Sequence, residues 1–429
     1  MQLENDPSLL VINSQYGFEN SKAQPLETLL LKVRGQLIEA GYTQNSLYHT
    51  DIVMNRLRKK AVELNTSLYT EELRDVFLGD NQYAASEGFC KSRYRMHRLL
   101  IHQIESFIAN GNVDFSHVKR RYSYIATQKQ EFVAAYLLYK KSISHLSKSA
   151  ERLYCRSVGY FLDYLDFEKG YSCLSDLKRG DISTYIPKVA SEHFPNSLRN
   201  MFTGLRGFLS LEELNINAFF LMEIPQKTKK QHKILQPLSN TEIQQITDLL
   251  DEVDNDVSFR DRAIAEVAVS TGYRSVDILG LTFNSFDWDN NILSIVQQKT
   301  GRHLEYPLTA SIGNAVVTYL LNERPDSESE FIFLHMQAPY LPLASNATSY
   351  RILKKIFEKA NVNIGTRQIG TRLTRHSRAT FLLSKGVPMS LIAQSLGHKN
   401  NSTVNVYLTT DEEHMAECVL PLPGKRVDV

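Results

Sequence analysis

A mainly α, multi-domain chain is what the sequence predicts, on three observations. Apolar residues recur at helical spacing through most of the first 230 positions. Period-2 alternation is concentrated near 292–307, and a proline-flanked, lysine-rich segment at 226–238 interrupts the pattern. A length of 429 residues fits about three domains. The 42% apolar content suffices for several buried cores and excludes a largely disordered or disulfide-stapled chain. Lys plus Arg (49) against Asp plus Glu (47) leaves a formal charge of +2, so any basic surface for a polyanion is local.

Residues 1–25 read as a polar arm. LETLLLKVRGQLIEAG is an amphipathic helix stopped at Gly41. The stretch from Thr43 continues with Leu47, Ile52, Met54, Leu57 and Val62 at helical spacing, and SRYRMHRLLIHQIESFIANG stops at Asn110-Gly111. The segment 43–57 echoes 148–165, Leu47-Tyr48 falling on Leu153-Tyr154, which fits two similar helical modules or the chance likeness of two amphipathic helices. Acidic helix starts follow at Thr70-Glu71-Glu72-Leu73 and around Ser175–Ile182. After the basic linker, Ser239-Asn240-Thr241-Glu242 is a capping box opening a new domain. The N-terminus lacks a signal-peptide pattern and no run has membrane length, which points to a cytoplasmic protein. Cys90, Cys155, Cys173 and Cys418 show no C-x-x-C pairing and read as free thiols, with no metal site.

Beyond residue 239 five short signals follow in order. In STGYRSVDILGL a helix bearing Ala263, Ile264, Val267 and Ala268 ends at Thr271-Gly272. Arg274 sits in the turn, with Asp277 placed to orient it or to bond a backbone N–H in the first turn of the following helix. In ILSIVQQKTGRHLEYPL, Ile292, Ser294 and Val296 alternate with Leu293, Ile295 and Gln297. This is a hairpin with Gly301 in the turn and Lys299 beside its tip. TRLTRHSRATFLLSKGVP places Arg372 and Arg375 on one helical face, with His376 adjacent. LIAQSLGHKNNST presents His398 after a short helix, and Tyr407 follows nine residues on. Taken singly, these are ordinary surface or packing residues. Together they suit metal-free phosphodiester cleavage. Two arginines clamp the non-bridging oxygens, a lysine protonates the leaving oxygen, an imidazole holds the phosphate or manages a proton, and a phenol attacks. The chain has no P-loop and no H-E-x-x-H.

The order and spacing resemble the tyrosine recombinase (phage integrase-type) family, most closely in SRATFLLSKGVPMSLIAQSLGH and LGHKNNSTVNVYL. The likeness covers about 235–410 strongly, 125–225 more loosely, and 1–115 without specificity. Position by position it implies Arg274 and Arg375 as catalytic arginines, Lys299 as the hairpin lysine, His398 as the L-G-H histidine and Tyr407 as nucleophile. Most members carry histidine where Arg372 stands. A guanidinium stays protonated and is a poor base, so the general base is open, with His376 as one candidate.

The echo and the basic run at Lys91, Arg93, Arg95 and Arg98 give an N-terminal helical region (1–115) as a further DNA-contacting or assembly module, and the resemblance implies a helical, SAM-like core-binding domain (116–225). It also implies a mixed, mostly helical catalytic domain (239–429) with a small antiparallel sheet. KRRYSYIATQKQ (119–130) suits phosphate contacts. The implied activity is site-specific recombination of duplex DNA at core sites through a 3′-phosphotyrosyl link. Because bond energy is kept in the ester, neither ATP, cofactor nor metal is needed. The implied assembly is a tetramer on two DNA sites, its C-terminal tail on a neighbour, aided by an accessory DNA-bending or excision factor. The rival readings are a type IB topoisomerase-like enzyme and a catalytically inactive DNA-binding regulator.

Overall fold

A computed structural model describes residues 23–80, 82–83, 86–115, 124–192, 195–226, 236–252, 256–344, 346–365 and 367–397. They fall into two compact units that part at 232/233, with the stretch 37–44 grouped with the second. Most of the basic linker and part of KRRYSYIATQKQ lie outside the described residues, as do His398, Tyr407 and Cys418. Among the described residues no helix is long and apolar enough to cross a membrane.

The first unit begins with α1 (Leu26–Glu39), α2 (Gln44–Glu63) and α3 (Glu71–Gly79), then the short antiparallel strands β1 (Gln82–Tyr83) and β2 (Ser86–Phe89), and α4 (Lys91–Asn110). Gly41 and Gly111, both at positive φ, stop α1 and α4 where the sequence places the stops. In α2 the buried stripe is Leu47, Val53, Met54, Leu57 and Ala61, spaced i, i+4, i+8 from Val53. Val62, expected inward, is instead 79% exposed, because the stripe runs one residue to its side. Thr70 Oγ1 accepts the Leu73 N–H at 3.2 Å and opens α3 at the predicted acidic start.

Further on, the same unit carries α5 (Gln130–Ser142), α6 (Lys148–Phe167), α7 (Asp181–Glu192), α8 (Pro195–Leu209) and α9 (Phe219–Met222). Phe132, Val158, Phe161, Leu162, Leu165, Ile182, Leu205 and Phe208 form their core, all at most 1% exposed. Both α2 and α6, the helices of the internal echo, run for 20 residues.

One buried histidine in this unit gives a pH prediction. His97 on α4 is fully buried and stacks on Phe77 with 4.0 Å between ring centroids. Its Nδ1 lies 3.0 Å from the Phe77 carbonyl oxygen, which can only accept, so Nδ1 carries the proton. Burial pushes the imidazole down to about 4, and it is neutral in the folded protein at pH 7. The unfolded chain takes up this proton near pH 6.5 and the folded chain does not until about 4, so stability falls as pH drops through that window. The expected loss approaches roughly 3 kcal/mol at its limit. Hydrogen exchange of α4 amides measures it. Protection falls between pH 6.5 and 4.5 in the wild type, and less in His97→Phe; equal slopes in both proteins refute it.

The second unit holds α10 (Asn240–Asp251), α11 (Phe259–Thr271), α12 (Ser275–Leu279), β3 (Phe286–Asp287), β4 (Ile292–Val296), β5 (His303–Pro307), α13 (Ala310–Asn322), α14 (Asn346–Lys359), α15 (Thr371–Ser384) and α16 (Met389–Ser395). The three strands pair antiparallel in the order β3-β4-β5, with Leu293 opposite Tyr306 and Val296 opposite His303. The predicted capping box is present: Ser239 Oγ accepts the Glu242 N–H and the Glu242 carboxylate accepts the Ser239 N–H at 2.8 Å. That carboxylate also takes Arg367 Nη1 at 2.8 and 2.9 Å, tying the start of α10 to the segment that leads into α15. Helix α11 is buried on nearly all sides, so α12, α13, α14 and α15 pack around it. It fixes the frame from which the next residues project.

Candidate active site

The site is assembled where α11 ends. Gly272, at φ +67°, closes the helix and turns the chain. A Cβ at Gly272 would lie 3.3 Å from the Arg375 Cα and 3.2 Å from the Arg378 Cβ, so a side chain there would crowd α15 in a backbone conformation that already favours glycine. Tyr273 is fully buried, and Arg274 stands at the N-cap of α12 with extended backbone. Arg274 keeps 22% of its side chain exposed, open to a ligand. Its Nη1 donates to Gln297 Oε1 at 2.8 Å and lies 3.9 Å from Asp277 Oδ2.

Asp277 lies beside Arg274 as one expectation has it, but the backbone N–H it accepts is in the hairpin and not in the first turn of α12. Its Oδ1 takes Gln298 N–H at 3.0 Å, across from α12. Burial pushes its carboxyl above the ordinary carboxylate range, and the Gln298 N–H with the Arg274 and Arg375 guanidiniums only partly offset this. One carboxylate thus links the arginine turn to the strand end that carries Lys299.

The hairpin forms as predicted. Leu293, Ile295 and Gln297 face inward while Val296 is exposed. Gln297 N–H donates to the Arg302 carbonyl at 2.8 Å, and Gly301 N–H to the Gln297 carbonyl at 2.8 Å, with Gly301 at φ +67°. Lys299 rides exposed on this turn.

Arg372 and Arg375 both lie on α15, but they are not equivalent. Arg375 is only 6% exposed; it donates through Nη1 to the Gly272 carbonyl at 3.2 Å and through Nη2 to the Leu396 carbonyl. Arg372, in the first turn, is exposed and donates through Nε to His376 Nε2 at 3.2 Å. The i, i+3 spacing puts them on neighbouring stripes, and only the second stripe is covered by α11 and the end of α16. Ser275 N–H donates to Thr371 Oγ1 at 3.2 Å, so the arginine turn and the start of α15 are directly tied. Arg378, one turn on, donates to the Tyr306 hydroxyl at 2.8 Å, which donates to the Ser270 carbonyl at 2.7 Å. Helix α16 ends at Leu396-Gly397, and His398 and Tyr407 lie beyond the described residues.

Arg274, Arg375 and the Lys299 turn are therefore brought together through Gln297, Asp277 and the Leu396 carbonyl. Gln297 is a residue at the centre of this cluster that motif reading passes over. Its signal was present: it is the polar member of the inward-facing triplet Leu293, Ile295, Gln297. The arrangement sets fixed guanidinium donors beside a lysine on a hairpin, which suits an anionic, phosphate-like group.

Comparison with known proteins agrees. Residues 224–414 match the model of the phage integrase family. The integrase/recombinase-named y4rF of Sinorhizobium fredii is 33% identical over 168 residues, only 39% of the length of either chain. Its similarly named relative y4gC is 30% identical over 168 residues, 39% of this chain and 85% of that protein. The XerH site-specific recombinase, in a post-cleavage complex with palindromic difH substrate, shares the fold with a TM-score of 0.53 at 17% identity, over 95% of this chain and 98% of that one. The family match runs through the arginine turn, the hairpin and the L-G-H segment in a mainly helical frame, and the alignment with y4gC takes in most of that relative's length. On that ground the chain belongs to the phage integrase family and is a tyrosine-type site-specific DNA recombinase.

Proposed function

We propose that this recombinase cuts and rejoins core sites in duplex DNA with Arg274, Lys299, Arg372, Arg375, His398 and Tyr407 as its reacting set. The observation that carries the reading is the tie of Arg274 and Arg375 to one carbonyl, that of Leu396, the former through Gln297. Two guanidiniums so registered suit the non-bridging oxygens of one phosphate. The Tyr407 phenol oxygen attacks phosphorus, the bond to the 5′-oxygen breaks, and a 3′-phosphotyrosyl ester forms. Lys299 gives its proton to the leaving 5′-oxygen. The phenol proton passes to an imidazole, His376 or His398, since Arg372 stays protonated and acts as a phosphate donor. A partner strand's 5′-hydroxyl then reverses the step.

The domain roles extend this reading. Residues 116–225 bind the core site, 239–429 cleave it, 226–238 link the two, and 1–115 add contacts outside the core or aid assembly. The active form is a tetramer on two DNA sites in the cytoplasm, with an accessory bending or excision factor for directional reactions. Purified protein on two labelled core sites tests it: recombinant joints are expected. Relaxation of supercoiled DNA without joints would mark a topoisomerase-like enzyme, and binding without any covalent adduct a regulator.

The lysine's role has its own test. A 5′-bridging phosphorothioate leaves without protonation, so Lys299→Ala should be slowed by about 100-fold or more on the oxygen substrate and little on the sulfur one. Equal impairment on both substrates would remove Lys299 from the acid role.

A further inference from the structure

We infer that Gln297 is a positioning residue for the cleavage step, holding Arg274 in register with Arg375 and with the hairpin turn. The inference rests on the reading of the two arginines as a phosphate clamp.

Gln297 is completely buried, which for a primary amide is costly unless its polar atoms are satisfied. Oε1 accepts from Arg274 Nη1 at 2.8 Å and from Thr300 Oγ1 at 2.8 Å, and Nε2 donates to the Leu396 carbonyl at 3.1 Å. The neighbours dictate the amide's orientation. A guanidinium can only donate and a carbonyl can only accept, so turning the amide over would set donor against donor and acceptor against acceptor. Each partner belongs to a different part of the site: Arg274 to the turn before α12, Thr300 to the tip beside Lys299, Leu396 to the end of α16. The Leu396 carbonyl also accepts from Arg375, so the two arginines share one reference point, and Gln297 is the link that brings Arg274 to it. Its backbone also closes the Lys299 turn through Arg302 and Gly301.

A second, independent feature points the same way. A Cβ on Gly397 would lie 2.2 Å from Gln297 Oε1 and 2.8 Å from Nε2, and Gly397 sits at φ +66°. The residue just before His398 thus has no side chain where the amide passes.

The test uses full-length protein in single-turnover adduct formation on a nicked core substrate, with DNA binding and thermal unfolding measured alongside. Gln297→Met keeps length and bulk but loses the three hydrogen bonds. It should bind DNA as the wild type does and form adduct about 100-fold more slowly, the scale of a misplaced reacting group. Gln297→Glu supplies the readout that a merely structural role would not move. Ionised, it accepts from Arg274 but repels the Leu396 carbonyl; protonated, it restores the donor. Its rate relative to wild type should therefore rise as pH falls, while that of Gln297→Met stays flat. Gly397→Ala, which displaces the amide, should slow adduct formation without weakening binding. A wild-type rate in Gln297→Met overturns the inference. If that variant unfolds, the Glu variant decides: a pH-independent ratio overturns the inference and a rising one supports it. If instead Arg274→Ala reacts at the wild-type rate, the clamp reading itself has failed.

Discussion

Tyr407→Phe is expected to bind core DNA with wild-type affinity and to form no covalent adduct. The change removes one oxygen, and affinity for duplex DNA is spread over many phosphate contacts that do not involve it. The adduct, in contrast, requires that oxygen as nucleophile, and neighbouring groups cannot replace a missing bond-forming atom. A drop in cleavage rate of at least about 10⁴-fold is expected. A denaturing gel of protein mixed with a nicked, end-labelled core site reads it directly. Tyr407 lies outside the described residues, so its candidacy rests on the register nine positions after His398. Adduct of normal yield from Tyr407→Phe would place the nucleophile elsewhere in the chain.

Arg274→Ala and Arg375→Ala should each lower the cleavage rate by about 10²–10³-fold, the usual scale for losing one fixed donor to a developing negative charge. The structure separates them on a second axis. Arg274 is partly exposed, and its loss takes one donor from the Gln297 amide, which keeps Thr300, and one of two nearby guanidiniums from Asp277, so it should lower the unfolding temperature less than the loss of Arg375 does. Arg375 is buried and donates to the Gly272 and Leu396 carbonyls, so its loss leaves two acceptors short and a void beside α11. That costs about 2–5 kcal/mol. Lysine should rescue poorly at both positions, because an ammonium's three donors sit on one atom and cannot reproduce the planar fork of a guanidinium. Rates and melting curves on the same preparations check both claims. Binding and cleavage falling in parallel at every salt concentration would instead make these arginines ordinary backbone contacts.

Much of this was legible because local rules act locally. Gly272 and Gly111 end helices at the predicted places, Ser239 and Glu242 form their box, and strict alternation from Ile292 produces the hairpin. The mainly helical class with one small antiparallel sheet in the second unit follows from the same patterns. What the spacing did not convey depends on which neighbour covers a stripe. Helical period put Ile52 and Val62 on the core side of α2, yet Val53 and Ala61 fill it, since a one-residue rotation satisfies the period equally well. Arg372 and Arg375 look alike in R-x-x-R, and only the packing of α11 and α16 makes one a buried donor and the other an exposed partner of His376. Gln297 escaped because it belongs to no motif; the carbonyl it binds, that of Leu396, is 99 positions away.

The Leu396 carbonyl has a consequence for which substitutions such a site tolerates. The atom that both Arg375 and Gln297 grasp is main chain, present whatever side chain occupies position 396. A substitution at 396 that keeps the apolar filling at the end of α16 would leave that acceptor in place. Its cost is displaced onto other positions: a residue without a side chain at 397, and a long polar one at 297. A side chain at 397 would instead crowd the link itself, since a Cβ there would lie 2.2 Å from Gln297 Oε1.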